Sequence, residues 1–320
     1  MSGRSEKGLN GPAADIALSV CVCTYNRADD LAFALESLAR LRVPQGRGVE
    51  FIIVDNASTD TTPAVLSAAA ARFPFPLKTL REPIRGSGAA HNCALQHARG
   101  EVIAWTDDDC VPAEDWIERI LAHFDADPTL EILTGRIELY DQSHYPITIN
   151  TSLEPANTNS VLGANMAFRR RLPERIGVFD PRFGAGAPLR AAEDAEFAFR
   201  ALRGGSRIAY TPDVLLYHNH KRVTHDQVMR LRRNYIHGEG AMLMKHLLAG
   251  DSTAARRFYW NIHSIIGHIF RPLPAIPARA DNAKLLLEFF AGALKYLRFS
   301  LPWTRLPGQE PRGRGAGGVA

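Results

Sequence analysis

The stretch EVIAWTDDDC, Glu101 to Cys110, decides the fold. Its VIAW segment is a continuous apolar run, as expected of a strand buried on both faces. It ends in three adjacent carboxylates, and like charges packed together must be relieved by a partner or by solvent. For the triplet alone two readings stand. One is a hard divalent cation held by carboxylate oxygens. The other is a solvated acidic turn leading into the helix that follows Pro112. In an extended backbone Asp107 and Asp109 point to one side and Asp108 to the other. That makes the outer pair the candidate clamp and Asp108 the least needed of the three.

Working outward, strand and helix signals alternate through the first half. LSVCVCTY (18–25) and VEFIIVD (49–55) are apolar runs, and LKTLRE (77–82) is a shorter strand. Between and after them, ADDLAFALESLARL (28–41), TPAVLSAAAARF (62–73), GAAHNCALQHA (88–98) and AEDWIERILAHF (113–124) have helical spacing. The alternation predicts βαβ units: an α/β fold with a mostly parallel central sheet flanked by helices. In such sheets ligands bind beyond the carboxyl ends of the strands. TYNR, DNASTD and TDDDC each follow directly on an apolar strand, so all three belong on one sheet edge. From about Arg136 the pattern is less regular. GANMAFRR (163–170) reads as a turn and strand, AAEDAEFAFRALRGG (191–205) as a helix with acids in its first turn, and IAYTPDVLLYHNH (208–220) as two strand pieces around Pro212. The segment 226–250 reads as a basic helix broken near Gly238–Gly240.

Composition narrows the class. The chain has 320 residues, 46% hydrophobic and 22% charged, as in an ordinary globular protein. Its net charge of +4 is unevenly spread. Up to His218 there are 22 Lys and Arg against 28 Asp and Glu; from Asn219 on there are 16 against 6. An acidic body thus carries a basic C-terminal third. The four cysteines form no C-x-x-C pair, which argues against structural zinc; Cys21 and Cys23 read as core thiols. The N-terminal segment shows no signal-peptide core, and no run of about 20 apolar residues appears. A cytoplasmic location is expected, with residues 1–15 and 307–320 disordered.

The remaining strand-end motifs supply chemistry. Asp55 in DNASTD can accept from an N–H edge or a ribose hydroxyl, with Ser58, Thr59 or Asp60 as helix caps instead. Thr24, Tyr25 and Arg27 offer a hydroxyl, an aromatic face and a guanidinium. RGSGAAHN (85–92) is a Gly-rich helix entry suited to close approach of ligand or phosphate, with Asn92 among the candidate substrate contacts.

VCVCTYNR, FIIVDNASTD, RGSGAAHNCAL, WTDDDC, GANMAFRR and AEDAEF, in this order, resemble the family 2 glycosyltransferases of the GT-A fold. The resemblance runs from Leu18 to Gly240 and implies a nucleoside diphosphate sugar donor, a Mg²⁺ or Mn²⁺ ion and transfer with inversion. Carried over residue by residue, it gives Thr24, Tyr25, Arg27 and Asp55 to the base and ribose. Asp107 goes to the ribose or sugar, with Asp108 beside it, and Asp109 to the metal. Asp194 becomes the base that deprotonates the acceptor, with Glu193 adjacent. His218 becomes a further metal or diphosphate ligand, and Asn165 and Arg169 line the sugar or acceptor side. The resemblance departs at one point: no Q-x-x-R-W signature of processive members is present, and RRNY (232–235) stands in that region. Addition of single sugars is therefore expected, as in the synthesis of cell-surface polysaccharide or glycolipid.

The domain layout expected is a catalytic domain over 16–225 and a basic, amphipathic helical region over 226–306. FYWNIHSIIGHIF (258–270) and KLLLEFFAGALKYLRF (284–299) read as helices of a membrane-surface contact or of a subdomain that packs on the domain or forms a homodimer. The membrane reading is preferred; it would hold the enzyme at the inner face of the cytoplasmic membrane, near a glycan or lipid-linked acceptor. Rival functions are a metal-dependent phosphohydrolase or nucleotidyltransferase, a non-catalytic nucleotide-sugar-binding scaffold and a nucleic-acid reader. A nucleotidyltransferase would want a Gly/Lys-rich loop after the first strand, and TYNR is not one. No recognition helix or stacking platform supports nucleic acid.

Overall fold

The computed structural model describes residues 16–146, 163–270 and 279–301. The termini expected to be disordered lie outside the described residues. Two compact units emerge: one built from residues up to Pro188 with Ala192–Val228, the other from Leu189–Ala191 with the residues from Met229 on.

In the first unit, β1 (Ile16–Thr24), β2 (Gly48–Asp55), β3 (Leu77–Arg81) and β4 (Val102–Asp107) run parallel. The helices α1 (Ala28–Leu38), α2 (Thr62–Ala70) and α3 (Ser87–His97) connect them. The short β5 (Cys110–Pro112) leads into α4 (Trp116–Ala126), then β6 (Leu130–Leu139), β7 (Met166–Arg169), α5 (Leu172–Ile176), α6 (Glu193–Arg203) and β8 (Arg207–His218). The eight strands form one sheet in the order β3-β2-β1-β4-β7-β6-β8-β5. Its first half is wholly parallel; in the second half only β6 and β8 pair that way, while β7 and β5 run antiparallel to their neighbours.

The alternation along β1 explains its sequence. Val20 and Val22 face a core shared with α1 and α4, whereas Cys21 faces the opposite core with Ala90, Ala94 and Trp105. Both faces are thus buried, and each large apolar side chain removed from water contributes about 1.5–3 kcal/mol. The four cysteines are free thiols, with Cys21 and Cys110 buried.

Three readings of the sequence need correction. The strand β6 lies where no strand signal was read, because Gly135 and the polar Thr134 and Arg136 interrupt its apolar pattern. The segment around Pro212 is one strand; its pairing with β6 jumps from Thr211 to Leu215, so Pro212 sits in an irregularity that spares the ladder its missing N–H. In the second unit, α7 (His225–Leu248) continues through Gly238 and Gly240. A Cβ on Gly240 would stand 2.1 Å from the Phe289 carbonyl oxygen, so that glycine allows close helix packing and is no breaker. The partners are α8 (Ser252–Phe270) and α9 (Arg279–Ser300).

Candidate active site

Register brings the motifs together. β1 pairs with β2 and β4 so that Thr24 lies beside Asp55 and Cys23 beside Asp107. The loops that follow carry left-handed non-glycine residues, Asn26 (φ 49°) and Ala57 (φ 62°), and a third, Ala192 (φ 72°), precedes α6. Such conformations cost free energy and collect where a site over-determines the backbone. Asn26 joins the first two loops: its side-chain oxygen accepts from the Thr59 N–H at 2.7 Å, and its own N–H donates to Ser58 Oγ at 2.9 Å.

The acidic triplet is not an extended strand throughout. β4 ends at Asp107, Asp108 and Asp109 form a turn, and Cys110 begins β5. Alternation therefore fails after Asp107, and each acid has its own setting. Asp108 is buried: Thr24 Oγ1 donates to its Oδ2 at 2.7 Å, and Arg27 pairs with its Oδ1 at 3.0 Å. Burial, which outweighs Arg27, pushes its carboxyl up to about 7. Asp109 is also buried, but Arg27 reaches its Oδ2 at 2.8 Å and His218 Nε2 lies 3.2 Å from its Oδ1. Burial alone would raise Asp109; the hydrogen bond and charge of His218, with Arg27, hold it well below the usual carboxylate range. Burial opposes a charged His218, yet the bond to Asp109 and the charges of Asp109 and Asp107 lift the imidazole above its ordinary value. The encounter is built by the sheet: Cys110 pairs with His218 across β5 and β8, and the Asn219 N–H donates to the Asp109 carbonyl at 2.8 Å. Solvent reaches Asp107, but crowding by protein atoms and the charge of Asp109 push its carboxyl to about 6.

The second acidic group stands at the start of α6. Ser87 Oγ, from the first turn of α3, donates to Glu193 Oε1 at 2.5 Å. Burial, with the charge of Asp194, pushes Glu193 to about 7. Asp194 accepts backbone N–H groups on both oxygens, from Gly163 at 2.8 Å and Ala195 at 2.7 Å. Burial still raises it above the ordinary range. The charge of Asp194 also helps lift Asp107, so the two acidic groups feel each other across the sheet edge.

Other candidates lie at this edge in altered company. Asp55 uses Oδ1 for the Ser58 N–H at 2.8 Å and Oδ2 for Arg81 at 2.6 Å. The Arg85 guanidinium covers the Tyr25 ring 3.2 Å from its centroid. Arg27 itself spans Asp30, Asp108 and Asp109.

Three candidates do not join. Asn92 spends its amide on the backbone of Phe179, donating to the carbonyl at 2.8 Å and accepting from the N–H at 2.9 Å. Asn165 is buried and saturated: it accepts from Trp116 Nε1 and donates to the Arg136 and Val214 carbonyls. Arg169 pairs in register with Val102, at the opposite end of β4 from Asp107. There its guanidinium donates to the Leu130 and Phe124 carbonyls and to Glu101. All three are engaged by the frame rather than gathered with the acidic groups. Conversely, Arg81 and Ser87 enter the site unforeseen. Arg81 was readable as the residue that closes β3 beside Asp55; Ser87 carried no signal beyond its place in the Gly-rich helix entry.

Asp109 and His218 suit a divalent cation. Atoms 3.2 Å apart can share an ion at about 2.1 Å from each. Cys110 is the third side chain of this cluster. Burial and the neighbouring aspartates raise its thiol, whereas the carboxylate oxygen and imidazole nitrogen are the harder donors that suit Mg²⁺ or Mn²⁺.

Comparison with known proteins agrees with this geometry. The family model for glycosyl transferase family 2 matches residues 19–178, and that for glycosyl transferase family group 2 matches 102–305. The succinoglycan biosynthesis protein ExoM of Rhizobium meliloti is 25% identical over 218 residues, 64% of this chain and 68% of that protein. The pre-mycofactocin glycosyltransferase of Mycobacterium tuberculosis is 27% identical over 67% of this chain, but the match spans only 45% of its own length. Among solved structures, the mannosyltransferase PcManGT of Pyrobaculum calidifontis superposes with a TM-score of 0.57 at 24% identity, covering 89% of this chain and 88% of that one. The 1–349 fragment of S. aureus TarS gives 0.54 at 18% identity over 89% and 92%. At these identities the structures speak for the GT-A fold alone. With family models spanning half the chain and more, and with the motifs gathered on one sheet edge, the chain belongs to glycosyltransferase family 2.

Proposed function

We propose that this enzyme moves a sugar from a nucleoside diphosphate sugar, a UDP-sugar by preference, to a hydroxyl of a glycan or lipid-linked acceptor. Transfer is a single displacement with inversion, one sugar per encounter, with Mg²⁺ or Mn²⁺ on the donor diphosphate. The observation that carries the reading is the pair of unlike acidic groups on one sheet edge: Asp109 with His218, and Glu193 with Asp194. Support also comes from the solved neighbours, one described with GDP-Man and Mn²⁺ and another with UDP-GlcNAc. ExoM, named for succinoglycan biosynthesis, supports a polysaccharide product.

In this reading Asp109 and His218 would hold the ion, which would supply positive charge to the leaving diphosphate. Because His218 holds a proton unusually firmly, binding the ion must release it, so affinity rises with pH. Thr24, Tyr25, Arg27 and Asp55 surround the nucleoside, and Asp107 meets the ribose or sugar. Arg27 pairs with both Asp108 and Asp109, so a cation on Asp109 would compete with it for that carboxylate. Asp194 accepts the acceptor hydroxyl's proton on a lone pair left free by its backbone contacts. As that proton leaves, the oxygen bonds to the anomeric carbon and the bond to the diphosphate breaks. A base raised above the ordinary carboxylate range is nearer its working pH. Glu193, largely protonated below neutrality, keeps a second negative charge away from that base.

The test is a nucleoside diphosphate release assay over a panel of UDP- and GDP-sugars, with Mn²⁺, Mg²⁺ or EDTA. Donor cleavage that requires metal and disappears in Asp194→Asn is expected. Cleavage unaffected by EDTA would remove the metal from the reading, and full activity of Asp194→Asn would remove the base.

A further inference from the structure

The helices of the second unit bury one apolar face and leave another open. On α8, Ala254 and Ile265 are buried, and on α9, Leu285, Phe289 and Ala293 are. The open positions of α8 recur at helical spacing: Arg256, Tyr259, Trp260, His263 and Phe270. Tyr259 is 61%, Trp260 57% and Phe270 74% exposed. On α9, Leu287 and Leu294 are 71% and 54% exposed between Lys284 and Arg298, which are also exposed. The helices pack together, with Phe258 of α8 against Phe289 and Phe290 of α9.

Charge on these faces has one sign. No exposed position of α8 or α9 among the described residues carries a carboxylate. The acids of α9 turn aside into ion pairs, Asp281 with Lys284 at 3.4 Å and Glu288 with Arg190 at 2.9 Å. An open face of Trp, Tyr, Phe and Leu bordered by Arg and Lys complements an apolar layer beneath a negative surface. A second copy is a poorer occupant: a two-fold contact sets the same patch against itself and would bring bases to bases. No helix of the described residues is long and apolar enough to cross a membrane.

We propose that the open faces of α8 and α9 dock this enzyme on the surface of an anionic phospholipid membrane. The aromatic side chains enter the boundary between headgroups and acyl chains, and Arg256, Lys284 and Arg298 lie among the headgroup phosphates. This stands independently of donor and base assignments.

The test uses the full chain in vesicle sedimentation, with phosphatidylcholine alone and with equal parts of phosphatidylcholine and phosphatidylglycerol. Wild-type protein should pellet with the anionic vesicles and be released by high salt. Combined Tyr259→Ser, Trp260→Ser and Phe270→Ser should weaken that binding by about tenfold or more, with helix content by circular dichroism unchanged. Combined Arg256→Glu, Lys284→Glu and Arg298→Glu should weaken it as much. If the serine variant loses helix content, Trp260→Ser alone replaces it, and a blue shift of tryptophan fluorescence on anionic vesicles, absent in Trp260→Ser, reports the same contact. The proposal is overturned if wild-type protein pellets with neither vesicle or equally with both. It is equally overturned if the serine variants bind as well as wild type, or if they turn a wild-type dimer into a monomer, which would make this face a contact between copies.

Discussion

The two acidic groups on the sheet edge are built in opposite ways. Around Asp109 the chain gathers a guanidinium with three carboxylate partners and an imidazole whose affinity for a proton Asp109 raises. Around Glu193 and Asp194 it gathers neutral donors, a serine hydroxyl and backbone N–H groups, and leaves both acids half-buried. The first arrangement keeps a carboxylate ionised in a place where burial would neutralise it. The second moves carboxylates toward the pH at which a proton can be taken and returned. In the proposed reading the same residue types would serve binding in one place and proton transfer in the other, with the partners deciding which.

Substitutions can break that contrast. The largest effect is expected at Asp194: Asp194→Asn should lower transfer by about 10²–10⁴-fold, the usual worth of a general base, with metal-dependent nucleotide binding retained. Steady-state rates and binding measured on the same preparation check both halves. Next, His218→Ala should weaken Mn²⁺ binding by roughly 10–100-fold and flatten its pH dependence, as seen by titration calorimetry at several pH values. A smaller effect is expected from Glu193→Gln. Glu193 is already largely protonated below neutrality, so its replacement by a neutral amide should leave the acid limb of the activity profile in place. Stability follows with a definite sign. Folded Glu193 titrates at about 7 against an ordinary value of 4.5, so its contribution is whole below 4.5 and is lost as pH rises through 7. Melting curves should therefore show Glu193→Gln more stable than wild type at pH 8, by on the order of 1–3 kcal/mol, with no difference at pH 4. Equal stability at both pH values would mean Glu193 is not held raised.

The smallest catalytic effect is expected at Arg169. Arg169→Met leaves buried carbonyls of Leu130 and Phe124 without their donor, so the melting temperature should fall while the donor KM stays unchanged. A raised KM with an unchanged melting temperature would return Arg169 to the substrate side.

Arg169 also shows where a sequence stops informing. TYNR, DNASTD and TDDDC could be placed because each directly follows an apolar strand, and parallel strands bring their carboxyl ends to one edge. His218 lies against Asp109 through a pairing of β5 with β8 that no local pattern announces. Asn92, Asn165 and Arg169 are polar residues near motifs, and nothing local shows that their partners are backbone groups from distant segments. The split of the triplet was half legible: Asp109 does part from Asp108 and meets His218, but the turn after Asp107 ends the alternation and gives Asp108 to Thr24. The glycines of α7 misled for a related reason, since a helix break and a close helix contact call for the same residue.

The central claim is that Asp109 holds a cation that the donor diphosphate shares, while Asp194 does not take part in that grip. Thermal unfolding with UDP and GDP, each with Mn²⁺ or EDTA, tests it on three proteins. Wild type and Asp194→Asn should both be stabilised by a nucleoside diphosphate only when Mn²⁺ is present, and Asp109→Asn should show no such shift. Stabilisation of Asp109→Asn equal to wild type, or no response of wild type to any nucleotide with Mn²⁺, would contradict it.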